Sequence, residues 1–371
     1  MKEKAFQDYY ANIINKLQVF IEQFWEQKSY ENIMVNEALM KLKELHAHGK
    51  RLRGLLVYIG YQMICDDDIQ EADALAAAFE MFQTAILIHD DVIDHAKSRR
   101  NQKTIHVQYY EKFLCNGDFR DRQFDEVVKD MGNSLAICVG DIGLYMAEQI
   151  LVNVYQRHQR FGEILSYYHE MLIKTIQGEI IDVQLPCIER YGFWGNESLS
   201  NDELKTVISD IYHLKTSCYT IIGPLCSGML LGGANGKQIE KMQAVGDKIG
   251  IAFQLQDDIL GIFGNEQETG KDVGSDISEF KQTFLYAYVR EIGGCAYQEL
   301  KQYYGKEQLE FSEVERVRQI FEKSGALAHT KQMIDTLLQE AETMMADIDG
   351  ISEMGKDLLK EFIFHLIKRK S

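Results

Sequence analysis

The chain has 371 residues, 46% of them hydrophobic, with two prolines and a formal net charge of −17. This charge argues against nucleic acid or an anionic membrane surface as a general partner, since both select basic protein faces. The glycines form no linker and the composition shows no break, so we predict one large helical domain over residues 1–371. An anionic ligand would need a local basic site.

Apolar residues recur at helical spacing along the chain. They occur near its start, in its middle and near its end: Ile14, Leu17, Ile21 and Phe24; Leu135, Val139, Ile142 and Met146; Leu358, Leu359, Phe362 and Leu366. The segments 74–88 and 211–231 are apolar almost all round, which is typical of helices buried on every side. Strand-like alternation is not convincing anywhere. We therefore predict an all-α fold, a large helical bundle with central helices.

Four segments are assigned no chemistry. Asp66-Asp67-Asp68 lies between two helical runs, where a solvated loop or a helix N-cap is the better interpretation. Residues 113–130 are predicted to form a surface excursion, and Lys368-Arg369-Lys370 a solvated helix end. The most lipid-like stretch, 219–234, contains Pro224 and is shorter than the ~18 to 20 apolar residues that a span needs. We predict a buried helix there and no stable membrane insertion.

The cysteines and the N-terminus indicate a compartment. The seven cysteines form no CxxC pair and no His/Cys array at zinc spacing, and their odd number fits poorly with a disulfide framework. We predict reduced core cysteines in a cytoplasmic protein. The first residues carry charges but no apolar h-region, so a signal peptide is not expected.

Two aspartate clusters end apolar, helix-patterned runs: Asp90-Asp91-Val92-Ile93-Asp94 and Asp257-Asp258-Ile259-Leu260-Gly261. In a helix, Asp90 and Asp94 lie one turn apart on one face with Asp91 beside them, so their like charges repel. A helix C-terminus increases the repulsion, because it disfavours carboxylates by about 0.3 to 1 kcal/mol each. Folding alone would not select this arrangement, so we expect a cation to relieve it.

Basic residues occur before, between and after the two clusters in the sequence. They lie in the segments Gly49-Lys50-Arg51-Leu52-Arg53 and Arg99-Arg100 and at Lys215, Lys271 and Lys281. Magnesium usually takes one or two protein carboxylates and completes its shell with water and phosphate oxygens. The guanidinium groups of arginines and the ammonium groups of lysines would bind the remaining phosphate oxygens. The pattern predicts a site for two diphosphates in which facing clusters hold several Mg²⁺ ions; the alternative is exposed ion pairs on helix faces.

The order and spacing of these motifs resemble the trans-isoprenyl diphosphate synthases of the polyprenyl synthetase family. The resemblance runs from about Gly49 to Lys281. It is carried by Gly49-Lys50-Arg51-Leu52-Arg53, Asp90 to Asp94 with Arg99-Arg100, Gly140-Asp141, Lys215-Thr216 and Phe253-Gln254-Leu255-Gln256-Asp257-Asp258. It implies an α-helical bundle around a deep central cavity, usually a homodimer, that joins an allylic diphosphate to isopentenyl diphosphate with Mg²⁺.

The resemblance also implies roles for individual residues. Magnesium would be held by Asp90, Asp91, Asp94, Asp257 and Asp258. The allylic diphosphate would be bound by Arg99, Lys215, Lys271 and Lys281, and isopentenyl diphosphate by Lys50, Arg53, Gln83 and Arg100. Thr216 and Gln254 would face the developing carbocation. The residues expected to act in catalysis are Asp90, Asp91, Asp94, Lys215, Thr216, Gln254 and Asp257, and the departing diphosphate would take the final proton.

The chain departs from the family pattern at several positions. Gly261 stands where many members have a third aspartate, so metal binding there would rest on Asp257 with help from Asp258 or Asp276. Glu179 occupies the place of a usual glutamine. His48, Asn101 and Lys103 also differ from common family residues. None of these departures removes a charge that the chemistry needs.

The product length is predicted from the run before Asp90. Phe82 lies eight residues from Asp90, about 12 Å along a helix axis, and could form the floor of the tail pocket. Family members that stop at fifteen carbons tend to have an aromatic residue four or five positions before the first aspartate, where this chain has Ile86 and Ala85. We favour geranylgeranyl diphosphate (C20); the alternatives are a farnesyl or longer product, with Phe82 merely packing between helices.

Two other functions compete with this prediction. A terpene cyclase typically lacks the GKRxR motif and carries an Asn/Ser/Glu metal motif in place of residues 254–258, so the sequence argues against it. A catalytically weak regulatory subunit of a heteromeric prenyl synthase is left open by Gly261 and Glu179. The complete set of Asp90, Asp94 and Lys215 favours an active enzyme.

Overall fold

The computed structural model describes residues 2–65, 69–99, 102–115, 122–191, 199–264, 274–306 and 308–367. Nearly all regular structure in these ranges is helical, which confirms the predicted all-α fold. The α-helices are α1 (Lys2–Glu26), α2 (Ile33–Ala47), α3 (Leu52–Ile64), α4 (Asp73–Ile93), α5 (Ile105–Cys115), α6 (Arg122–Tyr155), α7 (Phe161–Tyr191), α8 (Asn201–Ile211), α9 (Gly223–Leu231), α10 (Gly236–Phe263), α11 (Ser275–Ser278), α12 (Phe284–Ile292), α13 (Gly294–Leu300), α14 (Phe311–Lys323), α15 (Ala326–Ala346) and α16 (Glu353–Ile367).

Four further elements complete the described structure. A 3₁₀ turn, Ile69–Ala72, precedes α4, and a π-helix, Tyr212–Ile222 (here π1), joins α8 to α9. Strands β1 (Ser98–Arg99) and β2 (Gln102–Lys103) form an antiparallel hairpin with Arg99 opposite Gln102.

The chain folds into two compact units. The larger unit comprises Met1–Phe6, Ile59–Asp66 and Gly162–Ser371, and the smaller comprises Gln7–Tyr58 and Asp67–Phe161. The first aspartate cluster therefore belongs to the smaller unit and the second to the larger. The single domain over residues 1–371 stays a prediction.

Helix α4 is the central helix of the smaller unit. Its residues from Ala74 to Ala85 are all buried, as the apolar pattern predicts. It packs along α6, and the two backbones come close where Ala85 meets Gly143. A Cβ atom added at Gly143 would lie only 2.9 Å from the Ala85 Cβ. Small residues on both helices therefore allow this close contact.

Helix α10 has the same position in the larger unit, where it packs against α15 and π1. It begins with a capping box, in which Asn235 and Gln238 each accept a hydrogen bond of 3.0 Å from the other's backbone N–H. Its apolar face joins a core that includes Leu255, Ile259 and Phe321. The stretch Tyr219–Ala234, predicted as buried helix, includes α9, whose residues are all buried.

One predicted surface segment is helical at both of its ends. Helix α5 continues to Cys115 and α6 begins at Arg122, so residues 113–115 and 122–130 are helical and do not form the predicted excursion, although most of residues 123–130 are exposed as predicted for a surface segment. Residues 116–121 lie outside the described part of the chain, as do Asp66 to Asp68 and Lys368 to Lys370. Apolar residues at helical spacing in α6 begin within this segment, but its mixed charges obscure that pattern in the sequence.

All seven cysteines are free, in agreement with the expected lack of a disulfide framework. Their predicted burial is wrong for four of them, which are exposed: Cys115, Cys138, Cys187 and Cys295. Cys218 and Cys226 are buried. The cytoplasmic location stays a prediction.

One helical segment of the described chain, Gln123–Tyr155 in α6, is long and apolar enough to cross a membrane, with a mean hydropathy of 1.6 over its most apolar window. Within the protein, 44% of that window is buried. A core helix of a soluble protein passes the same test of length and composition, so the segment is weak support for a membrane span.

Candidate active site

The first aspartate cluster lies where α4 ends. Asp94 is the C-cap residue, and its backbone N–H donates to the Asp90 carbonyl at 2.8 Å. His95 then adopts a left-handed conformation with φ 53°, which turns the chain back. The Ala96 N–H donates to the Asp91 carbonyl at 3.0 Å. The carboxylates therefore stand at the negative end of the helix dipole, as the sequence predicts.

The hairpin after α4 brings Arg99 onto this cluster. Its Nη2 lies 2.7 Å from Asp90 Oδ2, and its Nε donates to Asp91. Burial alone would lower the pKa of Arg99, but the charges of Asp90 and Asp91 raise it above its ordinary value. The guanidinium bridges two carboxylates and relieves part of their repulsion. To bind a diphosphate, as predicted, Arg99 would exchange these partners for phosphate oxygens.

The carboxylates of the smaller unit fit magnesium only together with another ligand. In the part of the chain that the structure describes, no group of three or more His, Cys, Asp or Glu side chains is arranged to hold a metal ion. Asp90 and Asp94 nevertheless lie one helical turn apart at the end of α4. Since Mg²⁺ usually takes one or two protein carboxylates and fills its shell with phosphate and water, this donor set fits an ion that binds with a phosphate.

Two basic side chains of the loop before α3, Lys50 and Arg51, have different surroundings. Arg51 is buried, and its guanidinium lies 3.7 Å from Glu80 of α4. Glu80 also accepts a hydrogen bond of 2.8 Å from the Gly54 N–H and so caps the start of α3. Lys50 is exposed, while its backbone carbonyl accepts from Tyr10 at 2.5 Å. Arg51, which the prediction left without a role, fixes the loop that presents Lys50.

The remaining predicted isopentenyl diphosphate ligands are placed differently. Arg53 is half-buried on α3, and Gln83 is buried on α4, both within the smaller unit. Arg100 lies outside the described residues. The roles of all three stay predictions.

In the larger unit, the Lys215-Thr216 pair lies in π1, which is held between two glycines. A Cβ atom at Gly178 of α7 would lie 2.3 Å from the Lys215 backbone nitrogen. A Cβ atom at Gly250 of α10 would lie 2.3 Å from Ser217 Oγ. Both helices approach π1 this closely only because these residues have no side chain. π-helical turns are rare and occur frequently at functional sites, which supports a role for this segment.

Two carboxylates of α7 bind Lys215. Its Nζ lies 2.8 Å from Glu179 Oε2 and 2.5 Å from Asp182 Oδ2. The two acids are three residues apart and share a helix face. In the sequence alone, Glu179 is only a departure from the family pattern, and Asp182 has no predicted role. Their three-residue spacing is the sequence signal that could have predicted a shared partner, because it places both acids on the helix face that Lys215 contacts.

The two aspartates of the second cluster point in different directions. Asp257 is exposed, whereas Asp258 is only 3% exposed. Asp258 accepts hydrogen bonds from the Tyr212 hydroxyl and, at 2.8 Å, from Gln254 Nε2. Burial raises the pKa of Asp258 to about 7. Because both of its oxygens accept from protein donors, this arrangement does not favour the predicted metal-binding role of Asp258.

Asp276 occupies the space next to Gly261. A Cβ atom at Gly261 would lie 2.2 Å from Asp276 Oδ2, so a side chain there would displace this carboxylate. Asp276 is buried, and Lys281 Nζ lies 3.9 Å from its Oδ1. A carboxylate from α11 therefore stands where the third aspartate of many family members would begin. Lys271, the other lysine predicted for this region, lies outside the described residues.

Comparison with known proteins identifies the family. The model of the family described as polyprenyl synthetase matches residues 35–323, which is well over half of the chain. The chain belongs to the polyprenyl synthetase family. This confirms the resemblance drawn from the motifs.

Individual relatives of this polyprenyl synthetase agree with that assignment. A geranylgeranyl diphosphate synthase of Sulfolobus acidocaldarius is 28% identical over 294 residues, covering 77% of this chain and 75% of the relative. A short chain isoprenyl diphosphate synthase of Methanocaldococcus jannaschii is 28% identical over 245 residues, covering 65% of this chain but only 62% of the relative. The fold is that of the geranylgeranyl pyrophosphate synthase of Corynebacterium glutamicum, crystallised with isoprenyl diphosphate and magnesium, at a TM-score of 0.83, 24% identity and coverage of 98% and 99%.

The predicted chain-length residues of this polyprenyl synthetase have different surroundings. Phe82 is buried in α4 and Ile86 is half-buried one turn before Asp90. Ala85 packs against Gly143 of α6, so a phenylalanine there would collide with that helix. Of the two positions before the first aspartate, Ile86 is therefore the one at which an aromatic side chain can be tested.

Proposed function

We propose that this polyprenyl synthetase is a trans-prenyltransferase that joins isopentenyl diphosphate to an allylic diphosphate and forms a short-chain all-trans prenyl diphosphate, with geranylgeranyl diphosphate as the main product. The observation that carries the proposal is the cluster of Asp90, Asp91 and Arg99 at the end of α4. It places carboxylates for Mg²⁺ and a cation for phosphate in one group. A relative named geranylgeranyl diphosphate synthase, 28% identical to this chain over 77% of its length, supports the choice of product.

The reaction begins when an allylic C–O bond breaks and leaves a carbocation and a diphosphate. Its rate depends on positive charge held ready for the leaving group and on keeping water from the cation. Bound Mg²⁺ would neutralise diphosphate charge; the proposed metal ligands are Asp90 and Asp94 in the smaller unit and Asp257 in the larger. Arg99 and Lys215 would donate to the diphosphate oxygens in place of their present carboxylate partners.

The cation itself would meet neutral oxygen atoms of the larger unit. The Thr216 hydroxyl donates to Gln254 Oε1 at 2.6 Å, so both side chains are fixed relative to each other in π1 and α10. Oxygen lone pairs directed at a developing positive charge stabilise it without forming a covalent bond. Neither side chain would need to move a proton.

Product analysis tests the proposal. Purified protein is incubated with Mg²⁺, isopentenyl diphosphate and one allylic diphosphate of five, ten or fifteen carbons, and the prenyl chains are sized after dephosphorylation. We expect a C20 product that disappears when EDTA removes the metal. Failure to elongate any starter would reject the prenyltransferase and favour the regulatory subunit, whereas a C15 or longer product would correct only the product length.

Variants of α4 test what sets the chain length. If Phe82 forms the floor of the tail pocket, Phe82→Ala should lengthen the product and Ile86→Phe should shorten it. Phe321→Ala is the matched control, because Phe321 is also a fully buried phenylalanine but belongs to the core of the larger unit. If Phe82→Ala leaves the products unchanged, Phe82 merely packs between helices.

We also propose that the protein forms a homodimer through α6. This helix exposes a stripe of apolar and small side chains spaced by four and seven residues: Val127, Met131, Cys138, Tyr145 and Val152. Tyr145 is 72% exposed. Such a stripe suits packing against the same helix of a second copy. Light scattering should give a dimer mass for the wild type and a monomer mass for Tyr145→Glu; a monomeric wild type at micromolar concentration would contradict this proposal.

A further inference from the structure

A line of hydrogen bonds connects α12, π1 and α10 in the larger unit. The Phe284 N–H donates to the Tyr212 hydroxyl oxygen at 3.4 Å, and the Tyr212 hydroxyl donates to Asp258 Oδ2. Gln254 Nε2 donates to Asp258 Oδ1 at 2.8 Å, and Thr216 Oγ1 donates to Gln254 Oε1 at 2.6 Å. Four side chains are thus joined in the order Tyr212, Asp258, Gln254, Thr216.

The chemistry of the Gln254 amide fixes its orientation. Its nitrogen can only donate a hydrogen bond, so Asp258 Oδ1 accepts from it whether or not the carboxyl group is ionised, while the Tyr212 hydroxyl donates to Asp258 Oδ2. The amide oxygen of Gln254 then points the other way, toward Thr216. With its one hydrogen committed to Gln254, the Thr216 hydroxyl oxygen has both of its lone pairs directed away from Gln254. A reversed Gln254 would place oxygen against oxygen at the buried Asp258, which is costly in a low-dielectric environment.

Tyr212 is itself firmly placed. It is buried, and its ring packs edge-on against Phe284 at a centroid distance of 5.4 Å. Burial raises the pKa of its hydroxyl well above the ordinary value, so it stays a donor. The hydroxyl accepts from one neighbour and donates to another, which makes Tyr212 a rigid link between α12 and Asp258.

We propose that Tyr212 and Asp258 are positioning residues: they orient the Gln254 amide and, through it, the Thr216 hydroxyl, so that the Thr216 oxygen presents a lone pair to the carbocation. This inference rests on the proposed prenyltransferase function and deepens it. It gives Tyr212 a role, and it replaces the predicted metal-ligand role of Asp258 with one in the stabilisation of the cation.

The proposal is tested by exchanging the carboxylate at position 258 and the amide at position 254, which are joined by a hydrogen bond. Asp258→Asn leaves one acceptor oxygen for two donors, Tyr212 and Gln254, so Gln254 is no longer held in one orientation and the Thr216 hydrogen can turn away. We expect kcat to fall by about 10- to 100-fold while KM for both diphosphates stays within about twofold. In the double variant Asp258→Asn with Gln254→Glu, the amide introduced at position 258 donates to the carboxylate introduced at position 254, which again accepts from Thr216. The double variant should recover kcat to within about fivefold of the wild type.

The kinetics of Tyr212→Phe and the Mg²⁺ requirement of each variant distinguish a positioning role of Asp258 from a metal-ligand role. Tyr212→Phe retains the contact with Phe284 and should lower kcat by about 3- to 10-fold, again without raising KM, which covers the case that Asp258→Asn fails to fold. The Mg²⁺ concentration for half-maximal rate should be the same in all variants. A raised Mg²⁺ requirement in Asp258→Asn without recovery in the double variant would overturn the inference and make Asp258 a metal ligand. Wild-type protein that forms no product would instead overturn the proposed function on which the inference rests.

Discussion

The two Asp-Asp pairs of the predicted site have the same sequence but different surroundings. Asp90 and Asp91 stand at the end of α4, and both contact Arg99, which the following hairpin brings to them. Within the last two turns of α10, by contrast, Asp257 is exposed while its neighbour Asp258 is buried among hydrogen-bond donors. Adjacent residues of a helix point about 100° apart, so a pair inside a helix is divided between solvent and core. A pair at a helix end can be gathered around one cation by the chain that follows it.

The cations of the two units are more alike than the aspartates. Arg99 contacts two carboxylates, and so does Lys215, which lies between Glu179 and Asp182. Each cation would have to leave these partners, at least in part, to bind a diphosphate. We therefore infer that the acids beside Arg99 and Lys215 set how strongly the substrate is held, in addition to any metal that they bind.

Removal of Asp90 should have the largest effect. Asp90→Ala deletes a predicted metal ligand and one partner of Arg99, so we expect kcat to fall by about 10²- to 10³-fold because charge stabilisation of the transition state is lost. Steady-state kinetics at saturating Mg²⁺ measures this. Asp130→Ala, at an exposed position of α6 in the same unit, is the control and should keep its activity. Activity within twofold of the wild type in Asp90→Ala would refute the metal role.

Replacement of the exposed aspartate of the second pair should have a smaller effect. Asp257→Asn keeps the size of the side chain and removes a charge, and Asp276 beside Gly261 remains as a neighbouring carboxylate. We expect kcat to fall by about 10- to 100-fold and the Mg²⁺ concentration for half-maximal rate to rise. The comparison of the two pairs would fail if Asp257→Asn left the Mg²⁺ requirement unchanged while Asp258→Asn raised it.

Release of Lys215 from one of its carboxylates should improve substrate binding. Glu179→Gln keeps the side-chain length but removes a charge 2.8 Å from Lys215 Nζ. We expect KM for the allylic diphosphate to fall by about 3- to 10-fold, since a half-buried charged contact is worth roughly 1 kcal/mol, with KM for isopentenyl diphosphate unchanged. Glu170→Gln, which breaks the exposed Glu170–Lys174 pair on the same helix, is the matched control. A higher allylic KM in Glu179→Gln would show that Glu179 itself helps to bind the substrate.

The sequence was sufficient for the fold class and for the position of the first cluster. Helical periodicity predicted the buried helix that ends at Asp90 to Asp94, because an apolar run of that length has one regular way to bury its side chains. The family motifs also predicted roles for Lys215 and Thr216, but nothing in the sequence indicated their π-helical conformation. That conformation depends on the close approach of Gly178 and Gly250, which belong to other helices.

The partners of the site residues were the part that sequence could not supply. Nothing local to Asp258 indicates that Tyr212, 46 positions away, donates to it, or that Asp276 fills the space beside Gly261. These contacts depend on how separate helices pack and not on the periodicity within one of them. The charge pattern placed Arg99 near the first cluster, and the family resemblance predicted it as a phosphate ligand, but neither indicated its contacts with Asp90 and Asp91.

The smallest predicted effect concerns how π1 is tied to α10. His213 Nδ1 lies 2.6 Å from Asp247 Oδ1, and this hydrogen bond, with a weaker contribution from Cys218, raises the pKa of His213 to about 10. A histidine pKa raised above its unfolded value of about 6.5 gives stability that is fully present below pH 6.5 and is lost as the pH rises through about 10. Because both side chains are partly exposed, we expect Asp247→Asn to cost about 1 kcal/mol or less at pH 6. Urea unfolding at pH 6, 8 and 10.5 should show this difference persisting at pH 8 and vanishing by pH 10.5, with Asp335→Asn on α15 as the control. A difference that had already disappeared at pH 8 would mean that His213 titrates like an ordinary histidine and that Asp247 does not hold π1 in place.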